Sequence, residues 1–103
     1  MKVYIASPYL QGDKEENVMR SINAFHALAV NGHTPFAPLL GHYIDIHYPM
    51  GGDWWLEHDL KWLEHCDAVL RLSGESKGAD EEEKRARELG IPVYYSLSEI
   101  CKI

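Results

Sequence analysis

Two acidic side chains on consecutive predicted helices are the residues of this sequence best suited to catalysis. Asp59 lies on the helix before a short apolar strand, and Glu82 lies on the helix after it. At about 100° per residue, Glu82 falls inside the apolar stripe formed by Ala79, Ala86 and Leu89. A carboxylate in a buried stripe is costly unless it is paired or used, so Glu82 is a functional candidate. Paired carboxylates are what the cleavage of a glycosidic bond requires.

The acids around Glu82 also have a purely structural interpretation. Asp80 as the N-cap, with Glu83 three residues later, would form a capping box at the start of this helix. On the helical wheel Glu81 points outward. The capping box therefore explains Asp80 and Glu83 and leaves Glu82 unexplained.

Asp59 shares a predicted helix face with two tryptophans, Trp55 four residues before it and Trp62 three residues after it. One interpretation is an exposed acid beside aromatic side chains that only fill space. In the other, Asp59 lies at the rim of an aromatic pocket whose tryptophans stack a nucleobase. The pattern alone leaves both interpretations open.

Two predicted loops carry small polar residues that could contact a ligand. Ser7 and Gly12 follow the first strand, and Ser76 and Gly78 lie where the helix of Glu82 begins. Parallel α/β sheets bind ligands at the carboxyl ends of their strands, although ordinary turn chemistry also explains Ser7 and Gly12. The first loop lacks the three-glycine fingerprint of a dinucleotide site, and we expect no cofactor.

Histidines raise the alternative of a metal-dependent hydrolase. His42, Asp45 and His47 lie in the segment 41–52, which is rich in His, Tyr, Pro and Gly and is predicted to be a long loop. No pair of histidines has the helical metalloprotease spacing with a glutamate beside it. We therefore expect these histidines to be solvated or to line a substrate site, and we expect no metal.

Predicted strands alternate with predicted helices along the whole sequence. The pattern predicts strands at 2–6, 34–37, 68–72 and 93–95, and helices at 14–31, 53–65, 79–89 and 97–103. The first helix would bury a stripe of Val18, Ile22, Phe25 and Ala29, and the second would have Asp53 as its N-cap. This alternation predicts a small three-layer, Rossmann- or flavodoxin-like α/β fold with a parallel sheet of about four strands.

Length and composition restrict the class of protein. The 103 residues are predicted to form one domain, 1–103, with 46% hydrophobic and 25% charged residues. The net charge of −6 argues against a nucleic-acid polymer as partner. No apolar run approaches the roughly 20 residues of a membrane span, so no membrane partner is expected. The two cysteines lack metal or redox spacing, which favours a cytoplasmic location.

Three motifs in the second half of the chain resemble one known superfamily. They are D-L-x-W-L-x-x-C-D-A-V-L from Asp59, S-x-G-x-x-x-E from Ser76 to Glu82, and G-I-P-V from Gly90. In this order they resemble the nucleoside 2-deoxyribosyltransferase-like superfamily, and most of all its short, uncharacterised bacterial and phage members. The resemblance extends from the first strand to the last.

The resemblance implies a role for each matching residue. Glu82 would be the nucleophile that attacks the anomeric carbon, and Asp59 would assist the leaving base or orient the sugar. Ser76 and Gly78 would hold the 5-hydroxyl or 5-phosphate end of the substrate. The remaining implied substrate contacts come from the first strand and loop: Ser7, Tyr4 and Tyr9.

The implied reaction is cleavage or transfer of the N-glycosidic bond of a (deoxy)nucleoside or nucleoside 5-monophosphate, with retention. With Gly12 and Trp55 from the residue patterns, the expected substrate-binding set is Ser7, Tyr4, Tyr9, Gly12, Trp55, Ser76 and Gly78. The resemblance also implies a homodimer or higher homo-oligomer. A non-catalytic protein that binds or sequesters nucleotides is the alternative, because a small domain of this type could keep the pocket without turnover.

Overall fold

A computed structural model describes residues 1–101 of the chain as an α/β fold built on a four-stranded parallel sheet. The strands are β1 (Lys2–Ala6), β2 (Thr34–Phe36), β3 (Ala68–Arg71) and β4 (Val93–Tyr94), in the spatial order β2-β1-β3-β4. The helices are α1 (Lys14–Val30), α2 (Gly41–His47), α3 (Gly52–Leu63), α4 (Lys77–Glu88) and α5 (Leu97–Ile100), with a 3-10 turn at Pro38–Leu40 before α2. The predicted fold class and four parallel strands are therefore confirmed.

Alternate residues of the strands build a core on each face of the sheet. Val3 and Ile5 of β1 face α1 and α5, whose Leu28 and Ile100 pack against them. Tyr4 and Ala6 face the opposite side, where they pack with α3 and α4. This alternation follows from the period of two in a β-strand and gives the three layers. It also directs Tyr4 towards the helix that carries Glu82.

The first helix buries a different face from the predicted one. The buried residues of α1 are Asn17, Val18, Ser21, Ala24 and Leu28. Of the predicted stripe, Val18 is buried and Ile22 is half-buried, whereas Phe25 and Ala29 are exposed. Small side chains at 21 and 24 let the helix pack closely on the sheet, and Phe25 instead turns towards a groove beside α2.

The predicted long loop at 41–52 is wrong, because most of this segment is helical. Pro38 occupies the first position of the 3-10 turn, and α2 continues from it through His47. Proline is favoured at this position because its missing N–H would be unbonded there anyway. The aromatic and β-branched residues of α2 are mostly exposed, so no apolar stripe marked the helix in the sequence.

Two helix starts also differ from the prediction. The N-cap of α3 is Gly51, at φ 88°, and Asp53 lies in the first turn. The N-cap of α4 is Ser76, whose hydroxyl accepts a hydrogen bond from the N–H of Ala79 at 3.1 Å. The capping box of Asp80 and Glu83 is therefore wrong.

The remaining element boundaries are close to the prediction. β2, β3 and β4 each end one residue earlier than predicted, and α1 ends at Val30. The last helix ends at Ile100, and the predicted residues 102 and 103 lie outside the described part of the chain. Within residues 1–101, no helix combines the length and hydrophobicity needed to cross a membrane.

Candidate functional site

Glu82 is buried between the sheet and α4 and is hydrogen-bonded by Tyr4. The Glu82 side chain lies on the inner face of α4, with only 7% of the residue exposed. The hydroxyl of Tyr4, which is fully buried on β1, donates to Oε2 of Glu82. The two residues are far apart in sequence, and the parallel register of β1 beside β3 brings them together. The helical-wheel expectation that Glu82 faces inward is confirmed.

The surroundings of Glu82 favour its protonated form. The pKa of Glu82 is raised to about 8, mainly by burial and also by the negative charge of Asp59. The hydrogen bond from Tyr4 and the positive charge of Arg71 act in the opposite direction. Perturbed carboxyl groups of this kind concentrate at functional sites, although buried ion-pair networks produce them too.

Asp59 is the second carboxylate of the site and is largely shielded from water. Its side chain is 14% exposed and lies 3.1 Å (Oδ1) from Nδ1 of His58. Burial raises the pKa of Asp59 to about 6, and the interaction with His58 lowers it in part. Because the charge of Asp59 also raises the pKa of Tyr4 and Glu82, the two carboxylates lie within electrostatic reach of each other.

A groove with aromatic walls adjoins Asp59. Two hollows share Trp55, Pro38, Gly41 and Asp59, and their cavity volumes are about 60 Å³ and about 250 Å³. Both volumes fall below the roughly 300–1,000 Å³ that small-molecule sites occupy, so the groove is small for such a site. Asp59 and Trp55 therefore line this groove, whereas Trp62 lines neither hollow and is 54% exposed, so the stacking of a nucleobase stays a prediction.

Trp55 forms one wall of the groove and is fixed at both ends of its indole ring. Its Nε1–H donates to Oδ1 of Asp45 at 2.8 Å, and the same oxygen accepts from the N–H of Met50 at 2.9 Å. At the other end, the ring lies against the Cα of Gly41, where a Cβ atom would approach the ring to 2.7 Å. The position at 41 therefore has no room for a side chain while Trp55 keeps its place.

Tyr9 and His42 form another wall of the groove, and His42 contacts a carboxylate from α1. The Tyr9 hydroxyl contacts Nδ1 of His42, and Nε2 of His42 lies 2.8 Å from Oε1 of Glu15. Asn17 fixes the loop that carries Tyr9, because its amide donates to the carbonyls of Tyr9 (3.2 Å) and Gln11 (2.8 Å). The wall is therefore a connected set of hydrogen bonds.

Several predicted substrate contacts lie away from this groove. Ser7 is buried at the end of β1 and bonds to the carbonyl of Pro8, and the hydroxyl of Ser76 caps α4. Gly12 has φ 79° in an open turn, the conformation that favours glycine there. Gly78 lies in the first turn of α4. None of these four residues lines either hollow of the groove.

Sequence reasoning missed Arg71 as a member of the site. Its side chain is 9% exposed and bonds to Asp80 at 3.0 Å and to the carbonyl of Gly74 at 2.9 Å. It therefore ties the loop before α4 to the first turn of that helix. The signal was a charged residue at the end of an otherwise apolar strand, a position that β3 buries.

His42 was expected to be solvated or to line a substrate site, with metal binding as the alternative, and its place in a hydrogen-bonded wall was not predicted. In the structure its two ring nitrogens face Tyr9 and Glu15, while Asp45 is engaged with Trp55 and Met50. Across residues 1–101, no three or more His, Cys, Asp or Glu side chains come together in a way that could hold a metal ion.

Comparison with known proteins gives a family for nearly the whole chain. The family model described as domain of unknown function DUF7768 matches residues 1–96. The chain belongs to this family. No curated protein matches the sequence of this DUF7768 domain.

A solved structure extends the comparison beyond the family. The 2-deoxyribosyltransferase of the psychrotolerant bacterium Bacillus psychrosaccharolyticus has a similar fold, with a TM-score of 0.65 and 25% sequence identity. The match covers 90% of the DUF7768 chain and 69% of the transferase chain. The relation to the deoxyribosyltransferase-like superfamily is therefore supported, whereas the resemblance to its short bacterial and phage members stays a prediction.

The buried position of Glu82 predicts a pH-dependent cost to stability. Its pKa is about 8 in the folded chain, against an ordinary value of 4.5. Protonated Glu82 is accommodated below pH 4.5, and stability falls as pH rises towards 8 because the unfolded chain loses the proton first. We expect Glu82→Gln to gain on the order of a few kcal/mol relative to wild type between pH 5 and pH 8.5. Urea unfolding at both pH values measures this gain.

Glu81→Gln is the matched control for this measurement. Glu81 is the exposed neighbour on the same helix, so its amide variant makes the same chemical substitution without changing a buried group. A free-energy difference between Glu82→Gln and wild type that stays constant with pH would contradict the buried, protonated carboxyl.

The contact between Gly41 and Trp55 predicts a local packing defect on substitution. In Gly41→Ala the new Cβ would lie 2.7 Å from the indole ring, so Trp55 must move although Asp45 holds its nitrogen. We expect a loss of about 1–3 kcal/mol in the free energy of unfolding and an altered tryptophan emission spectrum. Gly52→Ala is the control, because nothing lies within 4 Å of a Cβ there. Equal effects of the two substitutions would contradict the contact.

Proposed function

We propose that this protein cleaves or transfers the N-glycosidic bond of a (deoxy)nucleoside or nucleoside 5-monophosphate, with Glu82 as the nucleophile. The observation that carries the proposal is the pair of perturbed carboxyl groups: Glu82, oriented by Tyr4, and Asp59, which lines an aromatic groove. The similar fold of a 2-deoxyribosyltransferase used for the synthesis of nucleosides supports the same chemistry. We propose no metal and no cofactor for this reaction.

The reaction would proceed by double displacement. A carboxylate oxygen of Glu82 bonds to C1′ of the sugar while the bond from C1′ to the base nitrogen breaks, and its electron pair leaves with the base. Asp59 gives a proton to the departing base. In the second step, water or a second base attacks C1′ from the other face, Asp59 takes the proton, and the ester electron pair returns to Glu82. Two inversions give retention at C1′.

Without substrate, the protonation states of Glu82 and Asp59 are mostly the reverse of those that this mechanism needs. Attack needs ionised Glu82 and protonated Asp59, whereas their pKa values of about 8 and about 6 make Asp59 the stronger acid. The reactive combination is therefore a minority of the free protein near pH 7. Tyr4 and Arg71 favour it, because both lower the pKa of Glu82.

The protonation and burial of Glu82 also favour a second candidate function. A protonated, 7% exposed Glu82 that lines neither hollow of the groove fits a protein that binds or sequesters nucleotides without turnover. The groove and its tryptophan wall would serve binding alone. The two functions differ in whether ligand is consumed.

The surface around α2 supports the proposed homo-oligomer. Tyr43, Ile44, Ile46, Tyr48 and Met50 are each at least 43% exposed and lie in one short segment of the chain. Exposed apolar patches of this kind commonly mark contacts between proteins. The expected cytoplasmic location stays a prediction.

We expect light scattering after size exclusion to give at least twice the mass of one chain, 11.8 kDa. Ile46→Lys should shift the protein towards monomer, because a charge would be buried in the interface. Val30→Lys, at a residue 68% exposed on the far end of α1, is the control. A monomeric wild type at micromolar concentration would contradict the oligomer.

The enzymatic proposal is tested by following base release from a panel of nucleosides and their 5-monophosphates, with and without a second free base. We expect release with the wild type and a loss of at least about a thousandfold in Glu82→Ala, because the nucleophile is removed. Glu81→Gln should keep the wild-type rate. Release that needs a free base would identify a transferase, and release without one would identify a hydrolase.

Binding of the panel without any turnover would favour the sequestering protein instead. The decisive comparison is affinity in Glu82→Gln, which removes the ability to ionise and keeps the shape of the side chain. Unchanged affinity together with no release by the wild type would reject Glu82 as a nucleophile.

A further inference from the structure

The chemistry of Glu15, His42 and Tyr9 determines which group donates and which accepts each hydrogen bond in this wall of the groove. Nε2 of His42 lies 2.8 Å from a carboxylate oxygen of Glu15, and Nδ1 of the same ring contacts the hydroxyl of Tyr9. An ionised carboxylate only accepts hydrogen bonds, so Nε2 must carry the hydrogen. In the neutral imidazole Nδ1 is then an acceptor, and the Tyr9 hydroxyl must donate to it.

Because Tyr9 donates its hydrogen to His42, its oxygen can only accept a hydrogen bond from a ligand in the groove that it lines. The single hydrogen of the phenol is used by His42, and only oxygen lone pairs remain for a ligand. The phenol keeps that hydrogen at neutral pH, because burial and the nearby charges of Asp45 and Glu15 raise the pKa of Tyr9. Lys14, whose ammonium lies 5.3 Å from the ring centre, faces the π-surface of Tyr9.

Trp55 and Asp59, which line the same groove, add no free donor beside Tyr9. The only N–H of the Trp55 indole is used by Asp45, so its ring offers the ligand a flat surface and no donor. Asp59, with a pKa of about 6, is predominantly ionised at neutral pH and accepts hydrogen bonds. A flat base stacked on Trp55 therefore meets hydrogen-bond acceptors at its edge.

We propose that Tyr9, fixed by His42 and Glu15, is a specificity-determining residue that selects nucleobases with an exocyclic amino group. This inference rests on the proposed function for the nucleoside class of ligand. An amino group supplies the N–H donor that the Tyr9 oxygen accepts. A carbonyl at the same ring position would face that oxygen with a second acceptor and would leave both groups unsatisfied. Cytosine and adenine are thus favoured over uracil and hypoxanthine.

His42 and Glu15 act in this proposal as positioning residues. Without Glu15, the imidazole can adopt the other tautomer and donate to Tyr9, and the phenol hydrogen is then free to point into the groove. The Tyr9 wall would become a donor that accepts a base carbonyl as a partner. The positioning role of His42 and Glu15 is therefore tested by the ratio of the affinities for amino and carbonyl bases, and not by the affinity for either base alone.

The experiment is calorimetric titration of the Glu82→Gln protein, which cannot turn over by the proposed route, with cytidine, uridine, adenosine and inosine. We expect each amino nucleoside to bind roughly tenfold more tightly than its carbonyl counterpart, the effect of one hydrogen bond gained against one unsatisfied pair. Tyr9→Phe added to this background should bring both ratios close to one, because the ring remains and only the acceptor is lost.

Glu15→Ala should reduce both ratios in the same background. Glu16→Ala is the matched control, since Glu16 is the next acid in the first turn of α1 and only its backbone N–H, which alanine keeps, bonds to the N-cap Asp13. It should keep the full ratio. Melting temperatures of all variants check that each one is folded at the temperature of the titration.

Equal affinities for amino and carbonyl nucleosides would overturn the inference, as would a preference that survives in Tyr9→Phe or the absence of any binding. These outcomes are separate from those of the proposed function. Selective binding by a protein that releases no base would reject the enzyme and keep the inference. Base release without selection between amino and carbonyl nucleosides would keep the enzyme and reject the inference.

Discussion

The hydrogen bond from Tyr4 to Glu82 is the interaction on which the arrangement of the site depends. It joins an inner strand, with β2 on one side and β3 on the other, to the middle of α4. Without this donor, Oε2 of Glu82 would be a buried acceptor with no partner, at a cost of about 1–3 kcal/mol. The bond therefore fixes the rotation of α4 about its axis. Ala79 and Ala86 flank Glu82 on the same face and are small enough to let the helix approach the sheet.

Arg71 holds the other side of this arrangement. It extends from the end of β3 and binds the loop carbonyl of Gly74 and the carboxylate of Asp80. Arg20 of α1 donates to the carbonyl of Ser73 at 3.0 Å, so two arginines fix the loop from opposite faces of the sheet. The start of α4 is consequently determined by long-range contacts as well as by its Ser76 cap. A buried arginine beside a buried glutamic acid also limits how far burial can raise the pKa of Glu82.

The sequence could predict the features of the structure that depend on local periodicity. The strands, the parallel sheet and the inward direction of Glu82 follow from spacings of two and 3.6 residues, which short segments already contain. The helix α2 was missed because its apolar residues face outward, and helix periodicity is visible only when one face is buried. The family resemblance gave Tyr4 only as a substrate contact, and its hydrogen bond to Glu82, 78 residues away, was not predicted. The wall of Tyr9, His42 and Glu15 joins three separate segments, and no local pattern reports such a contact.

The two carboxyl groups are best understood as one unit. Asp59 lines the groove and Glu82 is buried without lining it, and each is harder to ionise while the other carries a charge. Such a pair holds one negative charge near neutral pH more easily than two. One charge and one proton are what double displacement uses, because one group must attack while the other protonates the departing base. A base that accepts a hydrogen bond from Asp59 would draw the proton to that side of the pair. The charge would then move to Glu82, next to the Tyr4 hydroxyl and Arg71, the two groups that favour its ionised form.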